Sequence, residues 1–409
     1  MSAFADAVGR AGYGQVVPPL LEDIGVFSRI GEATDVVAKE MYDFVDRGGR
    51  HVALRPEQTA SVCRAFVEHR PTTPFKAWYA GPNFRYEKPQ RGRYRQFDQV
   101  GVEVLGTDDP MVDVEVITLA WDFLRSLGLR RVELVVNSLG EPEDRERYVE
   151  ALRSHLRRAD GLTAESRATL ERNPLRVLDS KRAPDAPIIA GAPTIDAHWS
   201  PEATDHFGSV IRGLGAVGVP FTVDHRLVRG LDYYRRTTFE FRGLTLDSAQ
   251  NALGGGGRYD GLVQDLGGPP TAGVGFAIGV DRTLLACDDE GTFPTPDPSV
   301  DVFVVDTSDG TAALAITTEL RRAGFAADRA YDARSMKAQM KAADRSGAAI
   351  TVIVGPDEAE SMSAVMRPMR SDAEQRVVPR SELVMRLNEV LSPPPGGSTI
   401  DPTPTTTPG

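Results

Sequence analysis

At 409 residues, 41% of them hydrophobic and 26% charged, the chain is long enough for two or three domains with real cores. A net charge of −11 and a pI near 5.2 exclude indiscriminate nucleic-acid binding, which neutralises phosphates over a broad basic face, and leave room only for a shaped RNA held by local cationic surfaces. No apolar run approaches the ~20 residues of a membrane span, no basic stretch leads into an apolar signal region, and Cys63 and Cys287 lack disulfide or zinc spacing, so a cytoplasmic protein with two buried thiols and no membrane partner is expected.

The first 140 residues read as an opening helix, short strands, and a helix over 111–127 whose apolar residues fall at helical spacing. Between Trp78 and Gly106 an aromatic strand, a polar loop and an alternating strand predict a hairpin. Its loop sets Arg85, Lys88, Arg91, Arg93 and Arg95 against the single acid Glu87. Arginine offers phosphate a planar fork of donors and keeps its charge at any relevant pH, so the loop is a candidate phosphate site; a solvated charged loop is the alternative.

From 141 to 214 the pattern turns helical, with Pro- and Ala-rich connections at 183–193, and predicts an inserted module. Over 151–182, Arg153, Arg157, Arg158, Arg167, Arg172, Arg176, Lys181 and Arg182 outnumber Asp160, Glu165, Glu171 and Asp179, which suits an RNA-facing patch or a solvated helical surface; the helix around 321–345 is a further cationic candidate. Strand-like sequence resumes at 220–224. Gly273, Gly275 and Gly279 then alternate with Val274, Phe276 and Ile278 ahead of Asp281-Arg282, predicting a buried strand that runs into a helix starting near the arginine. Glycine there permits close backbone approach, so adenine could lie against the strand while Arg282 reaches polyphosphate at an anion-favouring helix start; a glycine-loosened core strand is the alternative.

Residues 288–299, rich in proline and acids, predict a linker. Beyond it, strands at 300–305, 326–330 and 348–355 alternate with helices at 311–323 and 335–346, which predicts an α/β domain. From 393 onward Pro, Gly, Thr and Ser dominate and a disordered tail is expected. The six histidines show no metal-ligand spacing and no pairing with a nucleophile, so none is assigned to catalysis.

The hairpin and the strand–helix element resemble motifs 2 and 3 of class II aminoacyl-tRNA synthetases, and Gly12-Tyr13 through Pro18-Pro19-Leu20 is similar to the end of motif 1. Leu227-Val228-Arg229-Gly230-Leu231-Asp232-Tyr233-Tyr234 and Gly255-Gly256-Gly257-Arg258-Tyr259-Asp260-Gly261-Leu262 resemble the diagnostic stretches of the histidyl-tRNA synthetase family, as does the run from Asn173 to Lys181. The resemblance extends over residues 1–390. It implies an α+β fold: a class II antiparallel sheet flanked by helices, with a helical insertion and a C-terminal α/β anticodon-binding domain. The implied boundaries are 1–140 and 215–287 for the catalytic domain, 141–214 for the insertion, 288–299 for the linker, 300–392 for the anticodon domain and 393–409 for the tail.

The resemblance also implies ligation of L-histidine to tRNA(His) through a histidyl-adenylate, with ATP as substrate, Mg2+ at the outer phosphates, and a homodimer. It implies catalytic roles for Arg85, at the α-phosphate, and Arg229, across the same phosphate and the substrate carboxylate. Glu87 would read the adenine amino group, and Arg93 and Arg282 would hold the γ-phosphate. Glu57, Thr59 and Gln99 would hold the α-ammonium, Glu103 and Tyr234 would face the imidazole, and Tyr233 and Tyr259 would line its pocket. Such paired polar groups reject apolar isosteres that leave them unpaired. Gln90 and Arg91 would touch the acceptor end of the tRNA. Each has a bland alternative: Glu57 as the cap of the following helix, Glu103 as an outward strand residue, the tyrosines as core.

Three departures stand out. The family carries further residues before the opening helix that help build the dimer, whereas Met1 here starts almost inside it; Asp281 stands where glutamate is usual; and 358–369 matches less well than its neighbours. Two rival readings differ from this one in sequence. A non-catalytic paralogue that binds histidine and regulates ATP phosphoribosyltransferase would lack the C-terminal domain and the phosphate-binding arginines, and another class II synthetase would lack the Leu227 to Tyr234 stretch.

Overall fold

The computed structural model describes residues 1–28, 40–227, 233–246, 251–293, 299–332, 334–371 and 373–391. The chain divides into two compact units, Met1–Pro294 and Thr295–Gly409.

The strands of the first unit are β1 Gly14–Gln15, β2 Leu21–Asp23, β3 Tyr42–Val45, β4 His51–Leu54, β5 Phe75–Phe84, β6 Gln96–Leu105, β7 Val132–Ser138, β8 Thr222–Val223, β9 Arg235–Gly243, β10 Ala252–Arg258 and β11 Gly273–Gly279. Eight of them form one sheet in the order β1-β5-β6-β11-β10-β9-β7-β8, while β2, β4 and β3 form a small second sheet. The six central strands are antiparallel, and the two-residue β1 and β8 lie parallel to their neighbours.

Side chains alternate across each strand, so each face has its own composition. The back face carries Val100, Val102, Val104, Val274, Phe276, Ile278, Phe239, Phe241, Leu134 and Val136, all buried against Phe4 and Val8 of the opening helix and Ile117, Phe123 and Leu124 of the helix Pro110–Ser126. Each of these large apolar side chains contributes about 1.5–3 kcal/mol by leaving water. The helix Pro110–Ser126 starts where Asp109 accepts from Met111 N at 2.9 Å and Pro110 pre-sets the first turn.

One boundary differs from the sequence reading. The helix Pro201–Ala216, inside the expected 141–214 insertion, packs in this same back layer through Phe207, Val210 and Leu214. Its apolar residues fall on a single helical face, and that face completes the sheet's core. The earlier helices instead join a separate core, where Tyr148, Leu152, Leu156, Leu170 and Leu175 meet Phe27 and Phe66.

A buried ionic cluster ties the back layer to the sheet. Arg258, fully buried at the end of β10, reaches Asp113 through Nε at 3.1 Å and Thr107 O at 3.2 Å, and Thr237 donates to Asp113 at 2.6 Å. Cys63 and Cys287 are buried free thiols.

In the second unit β12 Val302–Asp306, β13 Ala327–Arg329 and β14 Ile350–Val354 are parallel, joined through the helices Thr311–Arg322 and Met336–Arg345. The structure adds β15 Ser363–Pro368 and β16 Arg376–Pro379, both antiparallel, and a closing helix Leu383–Leu391. The second of these strands carries too little apolar alternation to be read from sequence: Val378 is the one buried residue of β16. The core here is built by Val302, Val304, Ile316, Leu320, Ile350, Val352, Leu383 and Leu387.

Candidate active site

The front face of the large sheet carries almost no bulk at its centre. Glu103 on β6 stands opposite Gly275 on β11, which stands opposite Gly257 on β10; in the next row of that face Tyr79 on β5 pairs with Gly101, which pairs with Ala277 and then Gly255. A Cβ at Gly275 would collide with the Glu103 carboxyl, one at Gly273 would meet the Tyr259 ring at 2.5 Å, and one at Gly257 would meet Tyr234 at 2.9 Å. These glycines therefore make room for side chains that lean over the sheet from neighbouring strands. A Cβ at Gly279, by contrast, would meet nothing closer than Leu253 O at 3.6 Å. The close approach expected of Gly273 and Gly275 is thus made by the protein's own carboxyl and phenol.

Over this floor lies a cavity of about 370 Å3. Along β11 it runs from Gly275, opposite Glu103, to Gly279, opposite Gln99, where the helix Val280–Glu290 begins. Arg282 occupies the first turn of that helix and donates to Gly92 O at 2.9 Å and Ala252 O at 3.0 Å, which joins it to the hairpin tip. Gly92 has φ +71°, a conformation that favours glycine, and a Cβ there would also press on Leu285 at 2.9 Å.

The hairpin forms as expected, with β5 and β6 in register from Phe75–Leu105 to Phe84–Gln96. Four of its five cations divide into two groups, and Lys88 is exposed. Arg85 and Arg93 line the cavity. Arg85 Nε donates to Pro56 O at 3.0 Å and its guanidinium lies 5.2 Å from the Phe97 ring centre, while Arg93 forms an ion pair with Glu87. Arg95 stacks on Tyr86 at 4.1 Å and Arg91 donates to Asp289 at 3.2 Å, both on the exposed side of the loop. The solvated-loop reading fits those two.

Burial pulls the Arg282 guanidinium below its ordinary value, and the charges of Arg93 and Arg85 push it the same way. Burial likewise lowers Arg85, opposed by Glu40 and Glu57. Arg85 and Arg282, both desolvated and repelling each other, with the more exposed Arg93 beside them, are stabilised by a polyanion among them.

At the Glu103 end the polar groups are buried. Glu57 accepts from Thr59 N at 2.6 Å and Ala60 N at 2.9 Å, so it caps the helix Thr59–His69 and lines the cavity at once. Its capping alternative is realised while the residue still faces the cavity. Thr59 Oγ1 donates to Glu103 Oε1 at 2.7 Å, Tyr79 Oη donates to the same oxygen at 3.1 Å, and Tyr259 Oη donates to Oε2. Burial pushes the Glu103 carboxyl up to about 8, against the pull of these donors. Tyr233 packs edge-on against Tyr259 at 5.6 Å and beside Tyr234 at 4.6 Å, and Gln99 accepts from Asn83 Nδ2 at 2.8 Å.

The cavity thus brings together Glu57, Thr59, Arg85, Glu87, Arg93, Gln99, Glu103, Tyr233, Tyr234, Tyr259 and Arg282. Gln90 and Arg91 are not among its lining residues; they sit exposed on the loop, where Gln90 N bonds Arg93 O at 3.0 Å. Arg229 lies outside the described residues. Tyr79 and Glu240, which no sequence motif marks, also line the cavity, as does Asp281, the residue standing where glutamate is usual. For Tyr79 the available signal was strand period: it shares a face of β5 with Ala77 and Gly81, toward the helix Thr59–His69.

Such a cavity can hold a polyphosphate at its arginine end and a small polar ring at its carboxyl end, with the reacting groups between them. Residues 1–283 match the family model described as histidyl-tRNA synthetase, and residues 300–390 match that of an anticodon binding domain. The chain is 49% identical over 391 residues to a histidine–tRNA ligase of Rhodococcus erythropolis, covering 94% of this chain and 92% of that protein. It is 45% identical to one of Geobacillus kaustophilus, covering 93% and 91%. Among solved structures it is similar to apo S. aureus histidyl-tRNA synthetase, with a TM-score of 0.78 and 34% identity over 94% of each chain.

Proposed function

We infer how the cavity works from one premise: the chain belongs to the histidyl-tRNA synthetase family. It is a class II enzyme that ligates L-histidine to tRNA(His) with ATP, through histidyl-adenylate. The histidine carboxylate attacks the α-phosphate and releases pyrophosphate, and a terminal ribose hydroxyl of the tRNA then displaces AMP.

Two anions must meet in the first step, so positioning and fixed positive charge outweigh proton transfer. Arg85 has Nε committed to Pro56 O, and we assign its other donors to the α-phosphate. Arg229 is assigned to the same phosphate and the histidine carboxylate. Arg93 and Arg282 are assigned to the γ-phosphate, whose charge would relieve their mutual repulsion, and Glu87, steadied by Arg93, to the adenine amino group. Glu57, Thr59 and Gln99 are proposed to hold the α-ammonium, Glu103 and Tyr234 to bond the imidazole, and Tyr233 and Tyr259 to wall it. Gln90 and Arg91, exposed on the loop, are proposed to meet the acceptor end of the tRNA.

Magnesium at the outer phosphates is part of this proposal. Glu240 and Asp281 line the cavity with Arg282, and two hard oxygen donors suit an ion that keeps most of its waters. Bound there, it would neutralise phosphate charge.

The domain assignment is proposed as expected from sequence except at one boundary: a catalytic domain over 1–140 and 201–287, an insertion over 141–200, because the helix Pro201–Ala216 packs in the sheet's back layer, and an anticodon-binding domain over 300–392. A cytoplasmic homodimer belongs to the same proposal. Val17, Leu20, Leu21, Phe44 and Val45 leave large apolar side chains exposed, the kind of surface a second copy covers.

The convergence of Arg85, Arg93 and Arg282 on one cavity with Glu103 carries this reading. It is tested by histidine-dependent exchange of pyrophosphate into ATP. Arg85→Ala is expected to lower exchange on the order of 100- to 1,000-fold with histidine affinity nearly intact. Exchange at the wild-type rate would remove Arg85 from the α-phosphate.

A further inference from the structure

A buried carboxyl can select a ring by hydrogen bonding only if its own oxygens are held. Glu103 meets that condition through three hydroxyls on separate elements: Thr59 at the start of a helix, Tyr259 just past β10, and Tyr79 in the middle of β5.

Tyr79 is fully buried, and its ring packs with Val62 and Ala77. Phenylalanine would fill that place equally well, so packing does not account for the hydroxyl. A buried hydroxyl needs a partner, and this one donates to Glu103 Oε1 at 3.1 Å. The sheet is hollowed to allow it. A Cβ at Gly101, directly opposite Tyr79, would meet Tyr79 Cζ and Oη at 2.5 Å. Gly101 thus admits the phenol on one side of Glu103 as Gly275 admits the carboxyl on the other.

We propose that Tyr79 is a positioning residue for histidine selection: its hydroxyl pins Glu103 Oε1 beside Thr59, fixing the angle at which the carboxyl meets the imidazole. This rests on the assignment of Glu103 to the ring.

The groups that face Glu103 fix the sign of the pH effect. Burial pushes Glu103 up, the donors Tyr259, Thr59 and Tyr79 oppose that, and the Glu57 charge adds to it; Cys63, Tyr13 and Tyr233 are the other titratable neighbours. Removing one donor therefore raises Glu103 further, and its protonated form persists to higher pH.

The experiment compares full-length wild type, Tyr79→Phe and Glu103→Gln by pyrophosphate exchange, with KM for histidine and for ATP followed from about pH 6 to about pH 10, across the ordinary imidazole range and beyond. Tyr79→Phe is expected to raise KM for histidine on the order of 5-fold, to leave kcat and KM for ATP within about twofold, and to move the pH profile of the histidine KM upward. An unchanged histidine KM and profile in Tyr79→Phe, with Glu103→Gln impaired, overturns the role of Tyr79 alone. Equal losses in kcat and in KM for ATP would make Tyr79 a packing residue and overturn it too. A normal histidine KM in Glu103→Gln would instead overturn the assignment of Glu103, and this inference with it.

Discussion

Gly275 shows how much one missing Cβ can decide. The Glu103 carboxyl fills the space above it, and any side chain there would also press on Val102 O. Gly275→Ala is expected to cost about 1–3 kcal/mol of stability from overpacking, read by urea unfolding, and to raise KM for histidine more than KM for ATP. Equal rises in both would show that the strain spreads over the whole sheet rather than falling on Glu103. At this scale the sequence was legible where charge or family spacing marks a residue: Arg85, Arg93, Arg282, Glu57 and Glu103 all reach the cavity. It was silent on Tyr79, because a tyrosine in an alternating strand has the same local signature whether its hydroxyl meets water or a buried carboxyl. The close approach at Gly273 and Gly275 was legible but not its partner, because glycine records that something comes close without recording what.

The elements of the site are held from behind by the buried cluster of Arg258, Asp113 and Thr237, which links β10 and β9 to the helix Pro110–Ser126. His206, on the helix Pro201–Ala216, places Nε2 3.5 Å from Asp113, and burial keeps its pKa below the ordinary value. Removing one partner of such a pair leaves the other charge buried and uncompensated. Arg258→Ala is therefore expected to destabilise the protein by about 3–5 kcal/mol in urea unfolding. A loss below about 1 kcal/mol would mean that Asp113 finds other compensation. Periodicity located the helices at 111–127 and within 141–214, but it reports only that a helix has an apolar face. Which layer that face joins is settled by contact, and so the helix Pro201–Ala216 went to the sheet rather than to the insertion.

For the molecule as a whole, the two units each possess a core of their own, and the second matches an anticodon binding domain. On the proposed function, adenylate chemistry would need only the cavity, whereas tRNA charging would draw on both units. A chain ending at Pro294 is expected to retain histidine-dependent pyrophosphate exchange while kcat/KM for tRNA falls about tenfold or more, equivalent to ~1.4 kcal/mol or more of RNA-binding free energy. Equal losses in the two assays would mean that residues 295–409 support the fold of the first unit.

Taken alone, the sequence determined the class of the fold, the family, and the residue types at both ends of the cavity, because these are written in short-range patterns: a cationic hairpin, alternating glycines, a strand running into a helix, and two diagnostic stretches. Tertiary structure decided what depends on cross-strand register. Glu103 lies over Gly275 and Tyr79 over Gly101 only because β5, β6 and β11 pair as they do, and a slip of one residue would turn every one of these side chains to the other face.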